Sequence, residues 1–484
     1  MTLGTLGLAA LGVYLVALLV LAELARRARR DHTPSDHFLA GRELGAFVLF
    51  LTLYATAYSG NSLLGYPGAA YRRGYSFVMS TGFMMAIIVV FHALVPKLRP
   101  LSVRHAFVTP CDYVRLRFEG ERGARALALA IGALMAVALA NFLLAQLKAM
   151  GEVAAIVTDG AIPYAWGVAG LALLILFYET RGGMRAVAWT DAAQGVLMFV
   201  GLGALLAWLL GDAGGLASVT RDVARVRPQA VLVPSATTQA NWFSTIGLLG
   251  IGSVLYPQAI QRIYAARSGA ALRASFALMT FMPLATTLVV TLIGIAAIAR
   301  LEGVPDVDAD QVMPLVLGHW AEAGPAAMAG AVAVFLGALA AIMSTADSCL
   351  LSLGAVVARD LLGGEGADAR TTRVGKAIAA AVLVAMVPLA LDRDTTLWRL
   401  IELKMELLVQ CAPAFLLGLH WRGLRAAPAL AGVAAGTVFA VGLTLAGVAL
   451  VGGVHVGMIG LALNAAIAVA GSAAGAPRAL AARA

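Results

Sequence analysis

The chain has 484 residues, of which 61% are hydrophobic and 13% are charged, and its mean hydropathy is +0.87. This composition excludes an ordinary soluble globular domain, and recurrent apolar runs of about 20 residues indicate a multi-pass membrane protein. The net charge of +9 does not indicate nucleic-acid binding, because the basic residues cluster in alternate loops, as the positive-inside rule expects of cytoplasmic loops.

In chain order, the apolar runs predict about thirteen membrane-spanning helices of roughly 20 residues each. Their approximate starts are Leu3, Leu44, Phe77, Ala126, Ile162, Ala188, Phe243, Ala274, Pro325, Val374, Thr396, Pro428 and His455. The first run is a span rather than a signal peptide, because its positive charges follow the apolar residues. The basic loops then place the N-terminus outside and the C-terminus in the cytoplasm, in a cell (inner) membrane.

The loops are too short to enclose independent hydrophobic cores. We therefore expect one integral membrane domain over residues 1–476, working as a monomer in the lipid bilayer, and a short basic cytoplasmic tail over residues 477–484. The three cysteines offer no disulfide framework. The sequence has no Walker A or HExxH pattern, so ATP-driven transport by this chain alone is not expected.

Helix breakers occur in the second and seventh predicted spans. The second contains the run from Ala55 to Ser62 followed by Gly65-Tyr66-Pro67-Gly68, and the seventh contains Gly250-Ile251-Gly252-Ser253 followed by Tyr256-Pro257-Gln258. Interrupted helices five spans apart indicate a secondary transporter built from two inverted repeats. For either span alone, close packing at glycine and a kink at proline would explain the pattern equally well.

The ninth predicted span carries Met343-Ser344-Thr345-Ala346-Asp347-Ser348 within an apolar run. An Asp near the middle of a membrane helix costs roughly 2.5–3.5 kcal/mol on insertion scales, which favours a functional role. Ser344, Asp347 and Ser348 share one helix face with Ala341, and their oxygens suit a small hard cation. For a single serine, helix packing is the alternative explanation.

Several segments, in order, resemble the sodium:solute symporter family. They are His37–Arg42, Gly65–Tyr71, Gly182–Asp191, Gln261-Arg262 and Met343–Ser348. The resemblance implies an all-α membrane fold of the LeuT type, a five-plus-five inverted repeat preceded by one extra helix and followed by two. The two repeats would cover about residues 44–210 and 243–420.

The resemblance also implies the sodium ligands. One site would use the backbone carbonyls of Ala55, Tyr58 and Ala341 with the hydroxyls of Ser344 and Thr345. A possible second sodium would use Asp191, Ser344, Asp347 and Ser348. Asp347 departs from the hydroxyl that family members with this site carry, so two carboxylates could strengthen the site or share a proton and weaken it. Asp191 could instead be an exit-path residue or a helix-terminus charge near Arg185.

The solute would then bind at the membrane midplane, between the broken helices and the third core helix. Candidate contacts are Thr56, Ser59, Asn61, Ser62, Asn141, Gln146, Lys148, Tyr256 and Gln258. Lys148 could pair with Glu152 or snorkel, or it could bind a carboxylate. Glu402, Lys404 and Glu406 form a polar stripe that predicts pairing between helices or a gating role. Ala57 stands where the family's proline symporter has Asp, which disfavours proline.

We therefore expect sodium-coupled symport of a small organic solute, an organic acid or amino acid, into the cell by alternating access, with Na⁺ as the ion and no enzymatic activity. A proton-coupled carrier of the same fold and a membrane-embedded solute sensor remain alternatives. An enzyme using Asp191 and Asp347 as an acid–base pair has no nucleophile motif or metal-ligand set to support it.

Overall fold

The computed structural model describes residues 3–27, 38–158, 160–363 and 369–474, so the predicted tail at 477–484 lies outside the described residues. The α-helices are α1 Leu3–Arg27, α2 Ala46–Ala57, α3 Tyr66–Arg73, α4 Ser80–Arg104, α5 Pro110–Arg117, α6 Ala124–Val157, α7 Tyr164–Ala213, α8 Leu216–Val226, α9 Ala236–Ser253, α10 Pro257–Ala265, α11 Gly269–Met279, α12 Leu288–Arg300, α13 Val312–Ala321, α14 Pro325–Ala355, α15 Ala369–Leu391, α16 Leu397–Leu408, α17 Gly418–His420, α18 Ala426–Leu445 and α19 Val456–Ala473.

Shorter elements connect or extend these helices. The 3₁₀ turns are Ala40–Arg42, Gly74–Met79, Pro228–Val231, Ala309–Gln311 and Val409–Cys411, and the π-helical turns are Asn61–Gly65, Pro283–Thr287, Val356–Leu361 and Pro413–Leu417. The strands β1 Leu450–Val451 and β2 Val454–His455 form an antiparallel hairpin, with Leu450 opposite His455. The described residues thus form an almost entirely helical protein, as the sequence predicts.

Eight helical stretches among the described residues are long and apolar enough to cross a membrane, and a bent pair of helices brings the number to nine. The spans predicted to start at Ile162 and Ala188 lie in one continuous helix, α7. The span predicted at Leu44 corresponds to α2, which is apolar but has only 12 residues before it breaks. The chain is a multi-pass membrane protein, and the count of about thirteen stays a prediction.

Both predicted helix interruptions are present. The helix α2 ends at Tyr58, whose φ of −105° and ψ of 80° leave the helical region, and the chain re-enters helical structure at Asn61. The axes of α9 and α10 differ by 50° across their break. Each interruption leaves backbone groups of a helix end without helical partners inside the membrane-spanning body.

Glycines allow the core helices to approach closely. A side chain at Gly294 of α12 would place its Cβ only 2.2 Å from the carbonyl oxygen of Pro67 in α3. On α14, a Cβ at Gly337 would lie 3.0 Å from the Cα of Met198 in α7. Because small residues are what permit tight helix packing in membranes, these positions allow α12 to approach α3 and α14 to approach α7 closely.

Candidate functional site

A narrow cavity lies beside the two helix breaks. It is lined by residues of α2, α4, α6, α9, α11 and α16, and by the segments at both breaks. The volume of the cavity is about 70 Å³. One buried water molecule needs about 10–15 Å³ of cavity volume. The cavity therefore has room for a solute of a few heavy atoms.

The structure brings five of the predicted solute contacts together in this cavity. Thr56, Ser59, Asn61, Ser62 and Tyr256 line it, and each is at least nine-tenths buried. Two of their polar atoms, Nδ2 of Asn61 and the hydroxyl of Tyr256, have no hydrogen-bond partner among the described residues. Buried polar groups are normally paired, so these two donors are suited to meet a bound molecule.

Gln146 and Gln258 of the predicted set do not line the cavity but support its walls. The Gln146 Oε1 accepts the Gly60 amide at 3.2 Å, and its Nε2 donates to Asn61 Oδ1 at 3.3 Å. Gln146 of α6 thus holds the first helix break in place. The carbonyl of Gln258 accepts from Arg262 within the second broken helix at 3.2 Å. Asn141 is also outside the cavity lining.

Lys148 is placed away from the cavity as well. Its Nζ donates to the carbonyl oxygens of Asp392 and Thr395, both at 2.7 Å, and so ties α6 to the loop before α16. The expected pairing of Lys148 with Glu152 is wrong, because Glu152 instead forms an ion pair with Arg393 at 2.6 Å. The loop before α16 directs the carbonyl oxygens of Asp392 and Thr395 towards α6, where they accept hydrogen bonds from the Lys148 ammonium group.

Asp310 joins these residues on the same side of the molecule. Its Oδ2 accepts the backbone amide of Leu397 at 2.9 Å, at the start of α16. Burial raises the pKa of Asp310 to about 7, against the opposing effect of that amide. We call Lys148, Glu152, Asp310 and Arg393 the outer latch, because together they connect α6, the loop before α13 and the start of α16, on the side that the basic loops predict to be the outer one.

The predicted sodium ligands lie where α2 packs against α14. Ala55, Tyr58, Ala341, Ser344 and Thr345 are all buried. The Thr345 Oγ1 has no hydrogen-bond partner among the described residues. Since α2 ends at Tyr58, carbonyls of its last turn lack the amide partners that a continuing helix would supply. The arrangement offers hydroxyl and carbonyl oxygens together, the ligands that a small hard cation prefers.

The predicted second cation site contains a protein cation. The Arg262 Nη2 lies 2.9 Å from Asp191 Oδ2 and donates to Ser348 Oγ at 2.8 Å, while its Nε donates to Thr52 Oγ1 at 2.8 Å. Asp191 also accepts hydrogen bonds from Thr52 and Ser344. The side chains of Arg262 and Asp191 are fully buried. The guanidinium thus shares Asp191 and Ser348 with the sodium ion predicted there.

The positions of the two acidic residues exclude one alternative for Asp191 and separate Asp347 from the cavity lining. Asp191 is not a helix-terminus charge, because it lies in the interior of α7. Asp347 is 1% exposed and is not part of the cavity lining. Asp347 is therefore buried in α14 outside the cavity lining.

The expected pairing of the polar stripe with other helices is confirmed for Glu402 and Glu406 but not for Lys404. Glu402 forms ion pairs with Arg73 at 3.7 Å and Arg399 at 3.1 Å. Glu406 accepts from Thr444 at 3.1 Å. Lys404 pairs with neither acid, and its Nζ lies 3.3 Å from the centre of the Phe142 ring.

Sequence reasoning missed the roles of Arg262 and Lys404, although each showed a signal. Arg262 was one half of the Gln261-Arg262 segment, and Lys404 is a charge in a predicted span. The identity of the facing residues, which the sequence alone does not supply, decides what each charge does.

The model of the sodium:solute symporter family matches residues 37–436. The chain belongs to this family. It is similar to the sodium/pantothenate symporter of Escherichia coli, with 30% identity over 198 residues, which cover 41% of this chain and 40% of that relative's length. It is also similar to the sodium/proline symporter 2 of Staphylococcus saprophyticus, with 25% identity over 421 residues, covering 84% of this chain and 79% of the relative.

The fold of this symporter chain is also known from a solved structure. A Na⁺-coupled sialic acid symporter in a substrate-bound outward-open state superimposes with a TM-score of 0.77 and 18% identity, covering 98% of this chain and 99% of the other. This likeness confirms the predicted fold class. The family and the fold both belong to transporters rather than enzymes.

Proposed function

We propose that this chain carries a small organic solute, an organic acid or an amino acid, into the cell together with Na⁺ by alternating access. The observation that carries the proposal is that α2, which ends at Tyr58, packs against α14, which carries Ser344 and Thr345, and that the Thr345 hydroxyl has no partner among the described residues. Family membership and relatives named for pantothenate and proline support it. We further propose a cell-membrane monomer with its N-terminus outside and its C-terminus in the cytoplasm.

In this proposal sodium binds to the carbonyls of Ala55, Tyr58 and Ala341 and to the hydroxyls of Ser344 and Thr345. The ion would join α2 to α14 and stabilise the arrangement of the broken helix that receives the solute. Coupling requires that ion and solute each raise the affinity for the other by the same factor. The shared element is the segment around Tyr58, which borders both the sodium site and the cavity.

We propose that one sodium ion is carried rather than two. The argument is the Arg262 guanidinium, which already holds Asp191 at 2.9 Å and Ser348 at 2.8 Å. A second cation would have to share these oxygens with a fixed positive charge a few ångströms away. Repulsion between like charges in a fully buried site makes that unfavourable.

Two groups of contacts support alternating access in this proposal. The outer latch connects three elements through several ion pairs and hydrogen bonds. Phe91 and Phe276 line both the central cavity and a second cavity that also contains Arg99 and Arg273. Their ring centres are 5.1 Å apart. The Phe91 and Phe276 rings thus lie between the central cavity and the cavity that contains the two arginines.

The test is sodium-driven uptake into proteoliposomes of the full chain, with labelled pantothenate, proline and short monocarboxylates as probes. Thr345→Ala should raise the half-saturating Na⁺ concentration by about tenfold or more, because a ligand worth roughly 1.5–3 kcal/mol is lost. Thr437→Ala is the matched control, since the Thr437 hydroxyl is also buried and unpartnered among the described residues but belongs to α18.

Equal sodium requirements in the two variants would refute the proposed sodium site. Uptake driven by a proton gradient without Na⁺ would favour the proton-coupled carrier. Binding of a probe without any flux would favour the sensor.

A further inference from the structure

The described lining of the central cavity carries a single charge. Among the described residues that line it, Lys404 is the only one with a charged side chain. The other lining residues are apolar or carry hydroxyl or amide groups. A carrier for a cationic solute would need an acidic group here, and the lining has none.

Lys404 is held in the cavity wall without an acidic partner. It is 1% exposed, and no carboxylate of the described residues lies within ion-pair distance of its Nζ. Its neighbours are two aromatic rings, with Nζ 3.3 Å from the centre of Phe142 and 5.7 Å from that of Tyr256. The faces of aromatic rings attract a cation but do not neutralise it.

The acidic residues next to Lys404 on its own helix are engaged elsewhere. Trp398 and Arg399 donate to Glu402 at 2.7 Å and 3.1 Å. Glu406 lies 3.6 Å from Arg399 and accepts from Thr444. A buried ammonium without a counter-ion is costly in a membrane protein, and such a residue commonly meets a substrate or ion. The missing counter-charge is therefore expected from the solute.

Two further groups of the cavity favour an acceptor-rich solute. The Asn61 Nδ2 and the Tyr256 hydroxyl are buried, line the same cavity and have no partner among the described residues. A carboxylate accepts several hydrogen bonds and supplies one negative charge. Together with Lys404, these groups provide three donors for its two oxygens.

We infer that Lys404 binds the carboxylate of the transported solute, which is a small organic monoanion. One buried cation balances one negative charge, and a cavity of about 70 Å³ admits only a few heavy atoms beside the carboxylate. This inference rests on the proposed transport function and specifies its substrate class. It gives Lys404 a role in specificity rather than in pairing between helices.

The experiment measures ²²Na⁺ entry into proteoliposomes of the full chain under an inward sodium gradient. The external solutes are propionate and lactate, with propionamide and glucose as neutral probes. Propionate or lactate should stimulate sodium entry, and the neutral probes should not. Lys404→Met should raise the half-saturating monocarboxylate concentration at least about tenfold, equivalent to about 1.4 kcal/mol. Lys404→Arg, which keeps the charge, should raise the half-saturating monocarboxylate concentration by a smaller factor.

Lys97→Met is the matched control, because it removes one positive charge from an exposed lysine outside the cavity. It should leave the response to monocarboxylate unchanged. Thermal stabilisation by NaCl relative to KCl shows whether Lys404→Met still folds and binds sodium. If Lys404→Met does not fold, the comparison uses Lys404→Arg and the unaltered protein. Sodium entry stimulated by propionate but not by propionamide then supports selection of an anion.

Two results would overturn the inference. If glucose or propionamide stimulates sodium entry and the monocarboxylates do not, Lys404 does not select an anion, while sodium-coupled transport still stands. If no probe of any class stimulates sodium entry and NaCl gives no stabilisation, the proposed transport function fails and the role of Lys404 fails with it.

Discussion

The buried pair of Arg262 and Asp191 gives the sharpest prediction about this fold. Both side chains are fully buried and 2.9 Å apart. Removing either partner alone leaves a charge without compensation, which should cost about 3–5 kcal/mol. Arg262→Met together with Asp191→Asn removes both charges. The hydrogen bonds of Arg262 to Ser348, Thr52 and the Gln258 carbonyl, and one of the two that Asp191 accepts, are then lost, at about 1 kcal/mol each.

The double variant should therefore be more stable than either single variant, although it carries more changes. The assay is a double-mutant cycle on the unfolding of the purified protein in detergent. The Arg262→Met variant has a second expected property, because Asp191 with Ser344 and Ser348 becomes free to bind sodium. A sodium concentration about ten times the dissociation constant would then stabilise it by about 1.4 kcal/mol.

Asp191→Asn is the control for this sodium effect, since it lacks the carboxylate and should not gain the extra stabilisation. The reasoning is refuted if the two single effects simply add in the double variant. The argument for one transported sodium is refuted if Arg262→Met responds to NaCl no more than the unaltered chain does.

Two further predictions concern the outer latch and the helix packing. The pKa of Asp310 is about 7 in the folded protein against 3.8 as its ordinary value. Between these two pKa values the carboxyl of Asp310 is ionised in the unfolded chain but still protonated in the folded protein. The stability contributed by Asp310 therefore falls as pH rises from about 4 to 7. Asp310→Asn should abolish that part of the pH dependence of the apparent melting temperature, and parallel profiles would contradict this. Gly294→Ala should destabilise by about 1–3 kcal/mol, because its Cβ would meet the carbonyl of Pro67 at 2.2 Å. Gly203→Ala has nothing within 4 Å of its Cβ and should be neutral or slightly stabilising; equal effects on the melting temperature would refute the packing argument.

Local sequence signals were sufficient for the class of protein and for the helix breaks. Apolar runs identified a multi-pass membrane protein, and the ordered segments identified the family. Glycine and proline marked the interruption after Ala57 and the one between Ser253 and Pro257. These features depend on residues close together in the chain, because a helix break is decided by its own backbone. The roles of the sodium ligands and of the solute contacts stay predictions, and Asn141, Gln146, Lys148 and Gln258 lie outside the cavity lining.

The partners of charged residues were not accessible in the same way. Lys148 and Glu152 have the spacing of a helical pair, yet they bind groups in the loop before α16. Glu402 and Glu406 stand beside Lys404 in the sequence, yet they pair elsewhere. A charged side chain is satisfied by whichever group the packing brings opposite, and that group is usually distant in the chain.

The sequence by itself determined the membrane fold, the family and the two places where helices open inside the membrane, because these follow from local composition and backbone preference. Only the tertiary structure decided which charges are free to act. It brought Arg262 of the second broken helix onto Asp191 of α7, across 71 residues of chain. It left Lys404 facing the cavity with no acidic partner among the residues that the structure describes. Electrostatic energy inside a membrane depends on distance and burial, and both are set by packing between remote segments.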